Sequence, residues 1–253
     1  MKKLSLLLMS VAVFAVSCKE NTKSQDDEAQ KMKDQEAAMQ NEEPQKEWVN
    51  LFNGENFEGW KAFNADSITQ WKVEDGAIAF TPAEGERSGS ENLISEDEFT
   101  NFELSLEWKI SEAGNSGIMW GVQEDKKFNE PYLTGAEIQV LDNQKHPDAK
   151  NGPIRQAGAL YDMVPPSKDV TKTVGEWNKT VIRIDHATNL GTVTMNGEKI
   201  TEFPVHGDQW DKMIAGSKFK DWEDFGKHKT GHIALQDHGD KVWYRNIKIK
   251  ELE

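Results

Sequence analysis

Residues 135–142, Gly-Ala-Glu-Ile-Gln-Val-Leu-Asp, are the part of this sequence best suited to chemistry. The apolar residues Ile138 and Val140 alternate with polar ones, which is typical of a strand with one buried face. Glu137 and Gln139 would then lie side by side on the polar face. The loop that follows adds one imidazole and three charged side chains: Asp142, His146, Asp148 and Arg155. Such groups beside one sheet face indicate a site for a small polar ligand.

Residues 231–239, Gly-His-Ile-Ala-Leu-Gln-Asp-His-Gly, predict a second polar strand face. The alternation puts Gln236 and His238 on the face opposite the apolar residues. If this strand neighbours the first, His238 and Glu137 would meet across one groove. A carboxyl group and an imidazole so placed are suited to proton transfer, and the sequence leaves open which one is the base and which the acid.

Other polar and aromatic side chains are candidates for binding the ligand. The polar candidates are Asn115, Gln139, Gln236, Arg155, Tyr161, Asp142 and His146. Among the nine tryptophans, Trp120 and Trp210 are the better ligand candidates, because an aromatic face can pack against an apolar ligand face. Trp60, Trp71 and Trp108 lie in apolar patterns and are predicted to be core residues.

Few cofactors or partners fit this sequence. The formal net charge of -14 disfavours nucleic acid, and it disfavours direct contact with an anionic membrane surface. No glycine-rich phosphate loop opens a helix, so a nucleotide cofactor is not expected. A divalent metal ion stays open. It would be bound by residues of acceptable type but without a tight ligand motif: Glu137, Asp142, His146 and His238.

Strands must position these residues. Residues 102–110 alternate apolar and polar side chains clearly, and residues 181–185 form another predicted strand. Asn196-Gly197 is suited to a tight hairpin turn. Residues 208–224 predict a short helix or an ordered insertion. The expected fold is all-β, a single antiparallel β-sandwich of the jelly-roll kind over residues 47–253.

The beginning of the chain predicts export. Met1-Lys-Lys precedes an apolar run that is too short to span a bilayer, so residues 1–18 are interpreted as an export signal. Cys18, the single cysteine, favours a lipobox with a lipidated thiol over an ordinary secretory signal. Residues 19–46 are polar without aromatic residues, which is typical of a flexible linker. We expect an exported protein that is lipid-anchored to the bacterial cell envelope, on the periplasmic or the cell-surface side of the outer membrane.

Several stretches together resemble the 3-keto-disaccharide hydrolase domain family. They include Asn-Ser-Gly-Ile at 115–118, Glu-Ile-Gln-Val-Leu-Asp at 137–142 and the 231–239 segment. The remaining stretches are 51–54, 59–60, 71–76, 102–108, 158–161, 175–178, 196–197 and 245–247. They run in order through the whole domain. One departure is Gly121, where an arginine is expected in many members, and Arg155 is the candidate to replace it.

The resemblance implies a concanavalin A-like sandwich whose concave face binds a small saccharide or glycoside. It also implies cleavage of glycosides whose C3 hydroxyl has been oxidised to a ketone. A ketone at C3 acidifies the C2 proton, so a base can remove it and the group at C1 can leave by elimination. Hydration of the double bond then gives net hydrolysis. Glu137 and His238 are the candidate catalytic residues for these proton transfers.

Two other functions stay open. A non-catalytic carbohydrate-binding lipoprotein would use the same fold, tryptophans and amides, but it would not need Glu137 and His238 together. A conventional glycosidase would need a second carboxylate on the strand face of Glu137, at the position of Leu141. Asp142 is out of phase with that face unless a bulge re-aims it.

Overall fold

This computed structural model describes residues 46–82 and 89–253, and these residues contain thirteen strands. The predicted signal at 1–18, its Cys18 and, except for Lys46, the predicted linker at 19–46 lie outside the described residues. None of the helices in the described part has the length and apolar character needed to span a bilayer.

The strands and helices follow one another in a simple order. The strands are β1 (Val49–Asn50), β2 (Trp60–Ala62), β3 (Trp71–Glu74), β4 (Ala77–Phe80), β5 (Leu93–Phe99), β6 (Phe102–Ile110), β7 (Asn115–Val122), β8 (Ala136–Leu141), β9 (Asn178–Asp185), β10 (Leu190–Met195), β11 (Glu198–Phe203), β12 (Gly231–Leu235) and β13 (Val242–Glu251). Helix α1 (Gly207–Ala215) follows β11. Short 3₁₀ helices cover Pro131–Leu133, Pro147–Asn151 and Pro153–Arg155.

The strands form two antiparallel sheets. The eight-stranded sheet has the order β11-β10-β9-β6-β13-β4-β3, with β1 paired to β13, and the five-stranded sheet has the order β2-β5-β12-β7-β8. Apolar side chains of both sheets meet in one core, with Leu104 and Leu106 from β6 and Ile138 and Val140 from β8. This arrangement confirms the predicted all-β sandwich. Burial of such side chains is the main favourable contribution to its stability.

The predicted core tryptophans are confirmed. Trp60, Trp71 and Trp108 are all buried and belong to the core between the sheets. Their indole N–H groups are also satisfied, since each donates a hydrogen bond within the domain. A buried indole needs such a partner because an unpaired polar group in the core costs free energy.

The segment 208–224 contains a short helix followed by turns. Helix α1 ends at Ala215, and the chain continues through residues 217–226, which we call the 217–226 loop. Within this loop Phe219 stacks on Phe225, with ring centroids 3.9 Å apart. The backbone N–H of Gly226 donates to the carbonyl of Thr134, which binds the loop to the chain just before β8. Aromatic packing and hydrogen bonds therefore order this loop beside the face of the five-stranded sheet that carries Glu137.

Candidate active site

Strand β7 separates the two predicted polar faces. The strand of Glu137 and the strand leading to His238 were expected to be neighbours, but β7 lies between β8 and β12. Gly117 of β7 pairs with Gln139 of β8, and its carbonyl accepts a hydrogen bond from the backbone N–H of Gln236 at 2.9 Å. Because Gly117 has no side chain, polar side chains from both flanking strands can meet over β7.

These side chains border one cavity of about 300 Å³. Six of its lining residues were predicted from sequence: Asn115, Glu137, Gln139, Tyr161, Gln236 and His238. A second cavity of about 350 Å³ shares Asn115, Tyr161 and His238 with the first. It adds residues from the loop after β8, which include His146, Asp148 and Asn151. The first cavity lies at the lower end of the size range of small-molecule sites.

Glu137 is a buried carboxyl group at the floor of the first cavity. Only 8% of the residue is exposed. Burial raises the pKa of Glu137 to about 7; the nearby Lys218 opposes the rise and Asp148 adds to it. A Cβ atom on Gly117 would come within 2.1 Å of the Glu137 Oε1 atom. Gly117 therefore provides the space in which the carboxyl group lies, and the carboxyl group can be protonated near neutral pH.

His238 lies on the boundary between the two cavities. Its Nε2 atom is 3.3 Å from Nδ2 of Asn115, and its ring is perpendicular to that of His146, with centroids 6.2 Å apart. Burial lowers the pKa of His238, His146 lowers it further, and Asp240 opposes the shift. A neutral imidazole with an accessible nitrogen is suited to accept a proton.

Two amide oxygens in the site have no hydrogen-bond partner among the described residues. They are Oδ1 of Asn115 and Oε1 of Gln236, and both atoms are buried. An unsatisfied buried acceptor is costly in the free protein and gains a donor when a hydroxyl group binds. The first cavity is therefore equipped to accept hydrogen bonds from ligand hydroxyls.

Arg155 lines neither cavity, but it hydrogen-bonds to residues beside them. Its guanidinium donates to Oδ1 of Asp148 at 3.1 Å and to Oδ1 of Asp162 at 2.9 Å. The hydroxyl of Tyr161 donates to Oδ2 of Asp148 at 2.7 Å. Although partial burial opposes it, hydrogen bonds from Tyr161, Asn151 and Arg155 lower the pKa of Asp148. Arg155, which was predicted to bind the ligand, thus lies outside the lining of both cavities, and its charge is paired with two carboxylates.

Three further predicted ligand residues lie elsewhere. Trp120 is buried in the core, where its ring stacks on Phe203 at 5.8 Å. Trp210 is the buried residue of α1 and donates its indole N–H to the carbonyl of Gly226. Asp142 accepts hydrogen bonds from three backbone N–H groups of the loops around it and lines a separate cavity. Trp120 packs in the core and Asp142 stabilises a turn, so neither lines the cavity that contains Glu137.

Gly121 leaves no room for the arginine that the resemblance suggested. Its φ of 68° is in the left-handed region, which favours glycine. A Cβ atom there would also come within 2.9 Å of the backbone oxygen of His228. The backbone conformation at this position therefore favours glycine over the arginine of the family pattern.

The groups able to bind a metal differ from those predicted. His146, His238 and Asp240 place candidate ligand atoms within 4.8 Å of one another, whereas Glu137 and Asp142 are not part of this group. Nδ1 of His146 accepts a hydrogen bond from the backbone N–H of Asp148, so Nε2 of the neutral ring carries the proton. A metal ion would have to displace either this bond or that proton. The hydrogen bonding fits a fixed imidazole tautomer better than a metal ligand.

The 217–226 loop contributes residues that were not predicted to line the site. Lys218, Phe219 and Trp222 line the first cavity together with Tyr132 from the segment before β8. Trp222 lies 5.8 Å from Tyr132, which gives the cavity an aromatic wall. The cluster of tryptophan, phenylalanine and lysine in a segment without strand pattern was the available signal. Nothing in the sequence indicated that the loop would lie next to Glu137.

Comparison with known proteins identifies the family of this chain. Residues 47–250 match the model of the 3-keto-alpha-glucoside-1,2-lyase-like domain. A Bacteroides thetaiotaomicron protein named 3-keto-disaccharide hydrolase is 39% identical over 232 residues, which cover 81% of this chain and 79% of that protein.

Solved structures of other proteins have a similar fold. A crystal structure of a candidate glycosyl hydrolase from Parabacteroides distasonis is 32% identical, with a TM-score of 0.75 over 81% of this chain and 94% of that one. A Bacillus subtilis protein with a galectin-like fold, 10% identical over 81% of this chain and 94% of that one, has a TM-score of 0.51 and supports the fold alone. With a family model covering most of its length and a relative of this identity, the chain belongs to the 3-keto-alpha-glucoside-1,2-lyase-like domain family.

Proposed function

We propose that this chain is a glycoside-cleaving enzyme that acts on saccharides or glycosides whose C3 hydroxyl has been oxidised to a ketone. Family membership supports the proposal, as does the name of the Bacteroides relative. The observation that carries it is that Glu137 and His238 line the same cavity of about 300 Å³. One is a carboxyl group with a raised pKa and the other an imidazole with a lowered pKa.

The proposed reaction is an elimination followed by hydration. A base takes the proton from C2, and the electrons of the C2–H bond form a C2=C3 double bond while the C3 oxygen becomes an enolate. The enolate then re-forms the C3 ketone, a C1=C2 double bond forms, and the C1–O bond breaks. The leaving oxygen takes a proton from an acid. Addition of water across C1=C2 completes a net hydrolysis.

The pKa shifts favour His238 as the base and Glu137 as the acid. Burial lowers the pKa of His238, so its imidazole is neutral at neutral pH and can accept the C2 proton. Burial raises the pKa of Glu137 to about 7, so its carboxyl group still holds a proton that it can donate. The reverse assignment would need a protonated His238, and its lowered pKa disfavours that state at neutral pH.

The remaining cavity residues would bind the sugar. The unpartnered oxygens of Asn115 and Gln236 can accept hydrogen bonds from ring hydroxyls, and Gln139 lies beside them. Trp222 offers an aromatic face for the C–H face of a pyranose ring. This is the role that the sequence predicted for Trp120 and Trp210. A non-catalytic carbohydrate-binding protein could use the same groups. It would gain nothing from burying a carboxyl group, which costs free energy once it ionises.

A chromogenic 3-keto-glucoside, assayed beside its unoxidised parent glucoside, tests the proposal. We expect the enzyme to release the chromophore from the ketone alone. Glu137→Gln should lose this release while it keeps the melting behaviour of a folded domain. Equal cleavage of the parent sugar would contradict the elimination mechanism and support a conventional glycosidase. Binding of both sugars without release from either would support the carbohydrate-binding alternative.

We also propose that the chain is exported and anchored to the bacterial cell envelope through a lipid on Cys18. The support is the basic start, the short apolar run and the position of the single cysteine. The lipid would be the only membrane contact, because a net charge of -14 disfavours binding to an anionic lipid surface.

A further inference from the structure

The proposed elimination needs a group that stabilises negative charge on the C3 oxygen. Removal of the C2 proton puts a full charge on this oxygen, and an enzyme must meet that charge with a cation or with hydrogen-bond donors. The unpartnered oxygens of Asn115 and Gln236 are acceptors and cannot do this. Arg155 lines neither cavity and is bound to Asp148 and Asp162.

Lys218 brings a cation to the first cavity, beside the buried Glu137. Its Nζ atom lies 4.2 Å from the centre of the Tyr161 ring and 5.1 Å from that of Phe219. The face of an aromatic ring attracts an ammonium group, because the ring quadrupole is negative there. Burial lowers the pKa of Lys218, while the nearby carboxyl groups, led by that of Glu137, oppose the shift.

The backbone of Lys218 is fixed by the same network that orients Tyr161. Its N–H donates to Oδ2 of Asp162 at 2.7 Å, and Oδ1 of Asp162 accepts from Arg155 at 2.9 Å. Arg155 also bonds to Asp148, which accepts from the Tyr161 hydroxyl. One guanidinium therefore sets the positions of both the lysine backbone and the ring under its ammonium group. Such preorganisation is what an electrostatic catalyst requires.

We propose that Lys218 is the electrophilic catalytic residue of this site, with its ammonium group bound to the C3 oxygen. This assignment rests on the proposed function. The ammonium group donates a hydrogen bond to the C3 ketone, acidifies the C2 proton and stabilises the enolate that forms when His238 removes that proton. No covalent bond to the enzyme forms, and the lysine keeps its three protons throughout.

The test compares Lys218→Met with Lys220→Met. Methionine keeps most of the length and packing of the lysine but removes its charge, and Lys220 lies on the same loop but lines a different cavity. Exchange of the C2 proton of a 3-keto-glucoside with heavy water, followed by nuclear magnetic resonance, reports enolate formation directly. Binding of the unoxidised parent glucoside, measured by calorimetry, reports ligand binding without a ketone.

We expect Lys218→Met to slow C2 exchange by about 100-fold or more, the usual loss for a preorganised electrostatic group. Binding of the parent glucoside should stay within about twofold of wild type, because it does not involve the enolate. Lys220→Met should exchange at the wild-type rate. Lys218→Arg should recover part of the exchange, since arginine keeps the positive charge.

Three results would overturn the assignment. Exchange in Lys218→Met near the wild-type rate would mean that another group stabilises the enolate. A loss of parent-glucoside binding as large as the loss of exchange would reduce Lys218 to a binding residue. If borohydride trapped a covalent adduct between Lys218 and the ketone, Lys218 would act by forming a Schiff base and not through its ammonium group. If the wild-type enzyme itself neither exchanges C2 nor releases the aglycone, the proposed function fails, and the lysine assignment with it.

Discussion

At the scale of single residues, the candidate site depends on two ionisable groups that folding shifts in opposite directions. Glu137 is buried on β8, and its pKa is raised to about 7. His238 lies at the boundary of two cavities, and its pKa is lowered by burial. Opposite shifts in neighbouring groups are the usual way in which a fold obtains an acid and a base at one pH.

The pH dependence of kcat/KM should be bell-shaped. Activity should fall on the acidic side as His238 is protonated. This fall should come at a pH below 6.5, the ordinary pKa of a histidine side chain, because burial lowers the pKa of His238. It should fall on the alkaline side with an apparent pKa of about 7 as Glu137 loses its proton. Initial rates on a 3-keto-glucoside across this pH range check the prediction. Activity that rises with pH through neutrality would instead identify Glu137 as the base.

Glu137→Gln should make stability less sensitive to alkaline pH. Because folding raises the pKa of Glu137 from 4.5 to about 7, the folded state holds this proton more tightly than the unfolded state does. Its favourable contribution is therefore present below the unfolded value and is lost as pH rises through about 7. Between about pH 4 and about pH 8, the free energy of unfolding of wild type should fall by about 3 kcal/mol relative to that of Glu137→Gln.

Urea unfolding of both proteins at the two pH values measures this fall. Any constant effect of the glutamine cancels in the comparison, because it contributes equally at each pH. A difference between the two proteins that does not change with pH would show that Glu137 titrates in the fold as it does in water.

At the scale of elements, the space above β7 decides whether the site exists. Glu137 on β8 and Gln236 after β12 lie on opposite sides of β7. Gly117 is the β7 residue between them, and the Glu137 carboxyl group occupies the volume that a side chain there would fill. The catalytic geometry thus depends on a glycine that performs no chemistry itself.

Gly117→Ala should lower kcat at least tenfold, because the new methyl group displaces the Glu137 carboxyl group and small misplacements of a catalytic group are costly. Overpacking of this kind also costs about 1–3 kcal/mol of stability, so the melting temperature should fall while the domain stays folded. Steady-state kinetics and thermal melting together check the prediction. Full activity in a folded variant would mean that the position of the carboxyl group does not matter.

Strand alternation predicted which residues of β8 point away from the core, and it predicted the buried tryptophans of the sandwich. It could not predict that β7 would separate β8 from β12, because strand order depends on long-range pairing. The prediction for Trp120 was wrong for a related reason. Every residue of β7 is buried, so the two faces of this strand do not differ in exposure to water. Lys218 and Trp222 were missed because their place in the site depends on a loop docked by distant hydrogen bonds, such as that to Asp162.

At the scale of the whole molecule, the domain at 47–250 that matches the family model is preceded by the residues for which we propose an export signal and a linker. The wall of the site comes from residues 115–238, and the proposed lipid attachment at Cys18 is far from it in sequence. Anchoring and catalysis should therefore be separable.

Cys18→Ser should abolish labelling of the protein by radioactive palmitate and move it from the membrane fraction to the soluble fraction of cells. Its turnover of a 3-keto-glucoside should stay at the wild-type value, because the cavity residues are unchanged. Fractionation, labelling and an activity assay on the two proteins check these points. Persistence of Cys18→Ser in the membrane fraction would show that another feature anchors the protein.

The primary kinetic isotope effect at C2 is the sharpest test of proton transfer in this site. In the proposed mechanism, Glu137 and His238 transfer protons to and from a sugar activated by its C3 ketone. With a 3-keto-glucoside carrying deuterium at C2, we predict slower turnover than with the protonated substrate, together with no cleavage of the parent glucoside. Equal rates for the two isotopes, together with cleavage of the parent glucoside, would contradict the account.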